Sequence, residues 1–154
     1  MNIEIERKFL VNKLFKAQNV SIHIKQYYIS IDEKIVQRLR IFNHEKAIVS
    51  FKEKSSGLSR YEFEYEIPLK DAKKMIGIMN PIFIEKMRHI LHYDSMKWEV
   101  DQFLDKNEGL IIAEIELKSE TQNFKLPDWI DVEVSDQKKY YNYNLALEPY
   151  ISWK

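Results

Sequence analysis

Over most of its length the chain repeats its hydrophobic residues with a period of two, which commits it to extended strands with one apolar and one charged face. Ile3, Ile5 and Phe9 alternate with Glu4, Glu6 and Lys8, and Tyr61, Phe63, Tyr65 and Ile67 with Glu62, Glu64 and Glu66. Ile111, Ala113, Ile115 and Leu117 oppose Glu114, Glu116 and Lys118. In the same way Val36, Leu39 and Ile41 flank Arg38 and Arg40, Ile48 and Phe51 flank Ser50 and Lys52, and Ile84, Met87 and Ile90 surround Lys86 and Arg88. Trp98, Val100 and Phe103 are read against Lys97, Glu99 and Asp101, and Ile130, Val132 and Val134 against Asp131 and Glu133. With a weaker run from Ile22 to Ile31 this makes about nine strand candidates, enough for a large antiparallel sheet or barrel.

Helical spacing is rarer. Leu69 to Met79 places Ala72, Met75, Ile76 and Met79 three and four apart, between Pro68 as a start signal and Pro81 as a stop. Tyr140 to Leu147 reads as a C-terminal helix and Asn12 to Gln18 as a short one. No Gly-, Pro- or Ser-rich linker and no repeat interrupts the 154 residues, so residues 1–154 are expected to form one domain, α+β in class and dominated by β.

Composition removes several kinds of chemistry. Lys and Arg number 24 and so do Asp and Glu, which leaves no bulk positive field for non-specific nucleic-acid binding. The absence of cysteine excludes disulfides, thiolate-bound zinc and a thiol nucleophile. Gly57, Gly77 and Gly109 are too far apart for a phosphate-cradling loop or a dinucleotide fingerprint. No run approaches the roughly 18 apolar residues of a membrane span. Met1 leads directly into Glu4, Glu6, Arg7 and Lys8 with no apolar leader, so the expectation is a soluble, cytoplasmic protein.

The charged faces carry the functional signal. Alternate strand residues lie about 6.6 Å apart on one face, so Glu4/Glu6, Glu62/Glu64, Glu114/Glu116, Arg38/Arg40 and Lys86/Arg88 are like-charged neighbours that repel. One such strand is what any one-sided sheet shows. Five such pairs are another matter, because a solvated face normally mixes Thr, Ser, Gln and opposite charges. Paired carboxylates suit Mg²⁺ or Mn²⁺, which take oxygen ligands, and paired Arg and Lys suit phosphate. Such a site for a metal polyphosphate gains from enclosure, which a barrel with its charged face inward supplies while its apolar face lies outward beneath helices and side loops.

Other features point to packing. His89 and His92 lack a third ligand, and His23 and His44 lack companions. Tyr27, Tyr28, Tyr140, Tyr141 and Tyr143 could stack on a base, but aromatics in strands and amphipathic helices are usually core. No Ser-His-Asp arrangement stands out.

The segment Glu4-Ile5-Glu6-Arg7-Lys8 matches Glu-x-Glu-x-Lys, and it is followed in order by Gln26-Tyr27-Tyr28, Arg38-Leu39-Arg40, Ser50-Phe51-Lys52 and Arg60-Tyr61-Glu62-Phe63-Glu64. Lys86-Met87-Arg88, Trp98-Glu99-Val100-Asp101-Gln102-Phe103, Gly109-Leu110, Ala113-Glu114-Ile115-Glu116-Leu117 and Glu133-Val134-Ser135 complete the series. From residue 2 to about 146 the chain thereby resembles the CYTH domains, also called triphosphate tunnel metalloenzymes. Asp136-Gln137 and Lys139 depart from the Gly-Asp and Arg frequent in that family.

The resemblance implies an eight-stranded antiparallel β-barrel with a charged interior and a few flanking helices, enclosing divalent metal and a linear or nucleoside triphosphate. Carried over by position, it makes Glu4, Glu6, Glu114 and Glu116 metal-facing carboxylates assisted by Glu62, Glu64 and Asp101, with Mg²⁺ or Mn²⁺ as the ions. It gives Lys8, Arg38, Arg40, Lys52, Lys86 and Arg88 the phosphate oxygens, and Lys8, Tyr28 or Lys86 the leaving oxygen. The expected partner is a small-molecule triphosphate, without nucleic acid or membrane, and a homodimer is left open. Inorganic tripolyphosphate ranks first as substrate; class IV adenylate cyclase, thiamine triphosphatase and a non-catalytic polyphosphate-binding module are the alternatives.

Overall fold

The structure, a computed structural model, describes residues 2–153. Nine strands form: β1 (Ile3–Val11), β2 (Ile22–Ile31), β3 (Ile35–Phe42), β4 (Lys46–Glu53), β5 (Ser59–Ile67), β6 (Phe83–Tyr93), β7 (Met96–Phe103), β8 (Ile111–Glu116) and β9 (Ile130–Glu133). Two α-helices, α1 (Leu69–Met79) and α2 (Asn142–Leu147), accompany them. Every strand pairing is antiparallel, in the order β5-β4-β3-β2-β6-β7-β8-β1, and β1 returns to β5 to close an eight-stranded barrel. β9 lies outside this circle and pairs with the far end of β1 through Phe9 and Val11. No helix among the described residues is long and apolar enough to cross a membrane.

Closure sorts each strand's two faces into inside and outside. The buried outward apolar residues collect in two covered patches. Leu39, Ile41 and Ala47 lie beneath α1, whose Ala72 is fully buried against them and whose Leu69 and Ile76 flank it. Asn80 ends that helix in the left-handed conformation, φ 45°, its N–H returned to the Ile76 carbonyl, and Pro81 follows. The second patch joins Phe9, Trp98, Val100, Ala113, Ile115 and Leu117 beneath the side loops, with Phe124 and Trp129 meeting the Trp98 ring edge-on at 5.9 and 5.7 Å.

The inside is divided into two zones. At one end Tyr28, Val36, Ile84, Phe103, Leu110 and Ile112 close around Leu145 of α2, an apolar plug across the barrel. Beyond it the inward positions are charged. Phe103 and Ile84 therefore share a face with Asp101 and Lys86, not with Trp98 and Met87 as the sequence pattern suggested, because the interior changes from charged to apolar along each strand.

Two helix expectations change. Asn12 to Gln18 is turn and coil: the Asn12 side-chain oxygen accepts from Leu14 N–H at 2.8 Å and its amide donates to the Asp128 carbonyl at 2.9 Å, a local alternative to helix. The C-terminal helix is limited to Asn142–Leu147, after a 3₁₀ turn at Lys138–Tyr140. Tyr141 is extended between them, buried, with its hydroxyl donating to the Ser135 carbonyl at 2.8 Å.

Candidate active site

The charged zone encloses a cavity of about 340 Å³ lined from all eight barrel strands and by Asn142 of α2. Antiparallel register places its acids together. Glu6 stands directly across from Glu116 and Lys8 from Glu114 on the β1–β8 pair, and Glu99 across from Glu114 on β7–β8. Like charges in such positions repel, so the arrangement is unfavourable unless cations sit among them. Lysines do so here: Lys8 Nζ is 2.9 Å from Glu114 Oε1 and 3.3 Å from Glu6 Oε1. Lys52 Nζ is 2.5 Å from Glu4 Oε1 and 3.5 Å from Glu6 Oε1.

The opposite wall is built of arginine–carboxylate pairs. Arg38 donates through Nη2 to Glu62 at 2.7 Å and through Nε to Ser50 Oγ at 2.8 Å, and Arg40 pairs with Glu64. Arg88 grips Asp101 with both prongs of its fork, Nε at 2.8 Å and Nη2 at 2.9 Å, and reaches Glu99 at 3.2 Å. Lys86 Nζ completes the cluster, 2.7 Å from Asp101 Oδ2 and 3.0 Å from Asn142 Oδ1.

Burial governs the electrostatics. It raises the Glu114 carboxyl to about 7, with help from Glu6 nearby. Burial also pushes Glu6 up, but Lys52 and Lys8 outweigh it and hold that carboxyl well below the usual range. Glu4 and Glu116 are raised, first by burial and then by the neighbouring acids. Burial and the adjacent arginines lower Lys86 to about 8 against the pull of Asp101, and Arg40 to about 10 against the pull of Glu64. Burial alone would lower Lys8, yet Glu114 and Glu6 leave it raised.

Most of the side chains expected from the sequence to serve the site line the cavity, with Glu64 and Glu116 at its exposed rim. Glu4, Glu6, Glu62, Glu64, Glu114 and Glu116 line the cavity with Lys8, Arg38, Arg40, Lys52, Lys86 and Arg88. Two stand apart. Asp101 is fully buried with both oxygens engaged by Lys86 and Arg88, so it holds basic groups toward the cavity. Tyr28 lies at the plug, its hydroxyl accepting from Gln26 Nε2 at 2.5 Å, in a side cavity shared with Lys8. Among the described residues no three acidic or histidine side chains stand in closed metal-ligating geometry, lysines occupying the spaces between them.

Sequence reasoning missed Gln26, Lys97, Glu99 and Asn142 as lining residues. For Lys97 and Glu99 the signal was available, since they share strand parity with Asp101. Asn142 carried none: its position depends on α2 folding back over the barrel end. His89 is buried in a packing role, accepting from Gln18 N–H at 3.1 Å beside the Gln102 side chain at 3.2 Å.

A closed barrel with opposed acidic and basic walls around one lumen defines a class of protein that holds a charged ligand away from bulk water. The chain belongs to the CYTH domain family, whose pattern matches residues 2–145. It is 42% identical over 157 residues to an inorganic triphosphatase of Acetivibrio thermocellus, covering 100% of this chain and 99% of that one. An inorganic triphosphatase of Nitrosomonas europaea is 29% identical over 147 residues, covering 94% and 97%. A crystal structure of an inorganic triphosphatase superposes with a TM-score of 0.68 at 28% identity, covering 94% of each chain. This family implies a divalent metal at the site.

Proposed function

We propose that the protein is a divalent-cation-dependent inorganic triphosphatase, hydrolysing tripolyphosphate with one water to pyrophosphate and orthophosphate. One observation carries this reading: the lumen is lined by seven acidic and seven basic side chains. A triphosphate entering it meets no net positive charge, so tight binding requires cations to arrive with it. The acidic residues are all hard oxygen donors, the set that Mg²⁺ and Mn²⁺ prefer, which fits them to such ions.

Glu4, Glu6, Glu114 and Glu116 would hold the ions. A bound ion supplies neutralisation of phosphate oxygens and a more acidic water. The remaining steps belong to the side chains. Arg38, Arg40 and Arg88 offer guanidinium forks to the phosphate oxygens and fix the chain in line for displacement. Lys8 and Lys52, already spanning the gap between the acids, supply mobile positive charge to the same oxygens. Lys86, pressed by burial toward neutrality and held by Asp101 and Asn142, faces the lumen as the proton donor to the leaving pyrophosphate oxygen.

Phe42 and Ile48 are the apolar side chains of the lining, so a purine base finds little surface there and tripolyphosphate is favoured over ATP. The deciding experiment is a panel of tripolyphosphate, ATP and thiamine triphosphate with Mg²⁺ or Mn²⁺, assayed for orthophosphate and cyclic AMP. Orthophosphate from tripolyphosphate at the highest kcat/KM is expected; cyclic AMP as main product would replace this reading with a cyclase.

A further inference from the structure

A second, narrower cavity of about 40 Å³ opens beside the plug, between the end of β4, the start of β5 and the first turn of α2. It shares Glu6, Lys8, Arg38 and Lys52 with the lumen and adds Lys54, Arg60, Tyr141 and Tyr143.

Its charge balance is unlike the lumen's. Five basic side chains line it against two acidic ones. Lys8, Lys52 and Arg38 are paired with Glu6, Glu114, Glu4 and Glu62, and Glu53 accepts from the Tyr61 N–H at 3.2 Å, so the uncompensated positive charge is that of Lys54 and Arg60. Lys54 and Arg60 have no carboxylate partner among the described residues. Each instead lies against an aromatic ring, the Lys54 ammonium 4.8 Å from the Tyr143 centroid and the Arg60 guanidinium 5.5 Å from the Tyr141 centroid. An aromatic face attracts a cation without cancelling its charge. Arg60 donates through Nη2 to the Gly57 carbonyl at 3.0 Å, while its buried Nε has no partner.

Unneutralised positive charge in a sheltered cavity is a site for an anion. Size limits which one. The volume is that of about three waters, room for one tetrahedral oxyanion but not for a nucleotide or a polyphosphate chain.

We propose that this side cavity is a separate subsite for a single phosphate group, filled without a metal ion by Lys54 and Arg60 acting with Lys8, Arg38 and Lys52. Its occupant is orthophosphate released from the lumen or the terminal phosphate of a chain longer than three. Which of these fills it rests on the triphosphatase reading; the existence of the subsite does not.

The test is a calorimetric titration of orthophosphate into the full-length protein in excess EDTA, where a metal-requiring lumen is silent. Wild type is expected to bind, Lys54→Ala and Arg60→Ala to bind about tenfold more weakly, and Arg60→Lys to recover most of the loss. Lys139→Ala serves as control, because Lys139 also lies over aromatic rings, those of Tyr140 and Trp153, outside this cavity. Absence of binding by wild type in EDTA, or equal affinities throughout the series, overturns the proposal. Melting temperatures check that each variant is folded.

With Mg²⁺ present, a raised inhibition constant for orthophosphate in Lys54→Ala assigns the subsite to product. A raised KM for tetrapolyphosphate relative to tripolyphosphate assigns it to longer chains, and a variant altered in neither respect refutes the subsite. A protein inactive on every triphosphate but binding orthophosphate in EDTA would refute the triphosphatase and leave the subsite standing.

Discussion

Glu114 and Arg40 face one lumen from opposite walls, and each has its charged form disfavoured mainly by burial. Such groups bind an oppositely charged ligand strongly, because little water has to be displaced from them. Replacing Arg40 or Glu116 by Ala is expected to lower tripolyphosphate turnover about 100-fold or more. The melting temperature should change little, since each change also removes a charge from a crowded face; full-rate turnover by Glu116→Ala would contradict the proposed site. A different behaviour is expected from Arg7 and Glu133, which join β1 to β9 outside the barrel through Nε–Oε2 at 2.8 Å and Nη2–Oε1 at 2.5 Å. The Arg7 hydrogen bond holds the Glu133 carboxyl below its ordinary value of 4.5. A carboxyl depressed in the folded state contributes stability above its unfolded pKa and loses it as pH falls through the folded one. Both side chains are about one-third exposed, which limits the contribution to about 1 kcal/mol or less. Wild type should melt slightly higher than Glu133→Gln at pH 7, with the gap closing below about pH 4.

At the scale of elements, α2 is only 6 residues long and draws its stability from where it docks. Leu145, fully buried among Tyr28, Ile84, Phe103 and Ile112, anchors it across the barrel. Leu145→Ala is expected to cost about 2–5 kcal/mol in denaturant unfolding. The same helix presents Asn142 to Lys86, so this variant should also lose activity at temperatures where the barrel remains folded. Strands with strict alternation were legible from sequence, and β2 has the bounds Ile22–Ile31 that its weak pattern suggested. Legibility failed where two influences met in one segment. In β7 the inward face passes from Glu99 and Asp101 to Phe103, so an apolar residue falls on the charged parity and the pattern slips by one. From Asn12 to Gln18 the apolar spacing suggested a helix, but Phe15 is spent on Trp129 and His89, and Asn12 turns the chain. The placement of Asn142, Tyr141 and Arg60 around one cavity follows from the docking of α2, which no local pattern encodes.

For the whole molecule, the equal numbers of acidic and basic residues in the chain are repeated inside the lumen. The like-charged pairs in the sequence supply most of the cavity's charged lining, a pattern a solvated sheet has no reason to keep; the inward direction required closure. Activity is expected to vanish with excess EDTA and to return with Mg²⁺ or Mn²⁺, measured as orthophosphate release. Persistence in the chelator would remove the metal from the reading. Closure itself is uneven around the circumference. β1 meets β5 through Ile3, Glu4 and Ile5, with Glu62 N–H reaching the Asn2 carbonyl, whereas β3 and β4 run together from Ile35–Glu53 to Phe42–Lys46. That short seam brings Glu4 of β1 alongside Glu62 of β5. The suture is thus where the wall should part first under thermal motion, and its amides should exchange with deuterium soonest in the empty protein. A ligand drawing on both edges acts as a clasp, so slowed exchange at Glu4, Arg60 and Glu62, whose amides face the seam, would report occupancy before any product is measured.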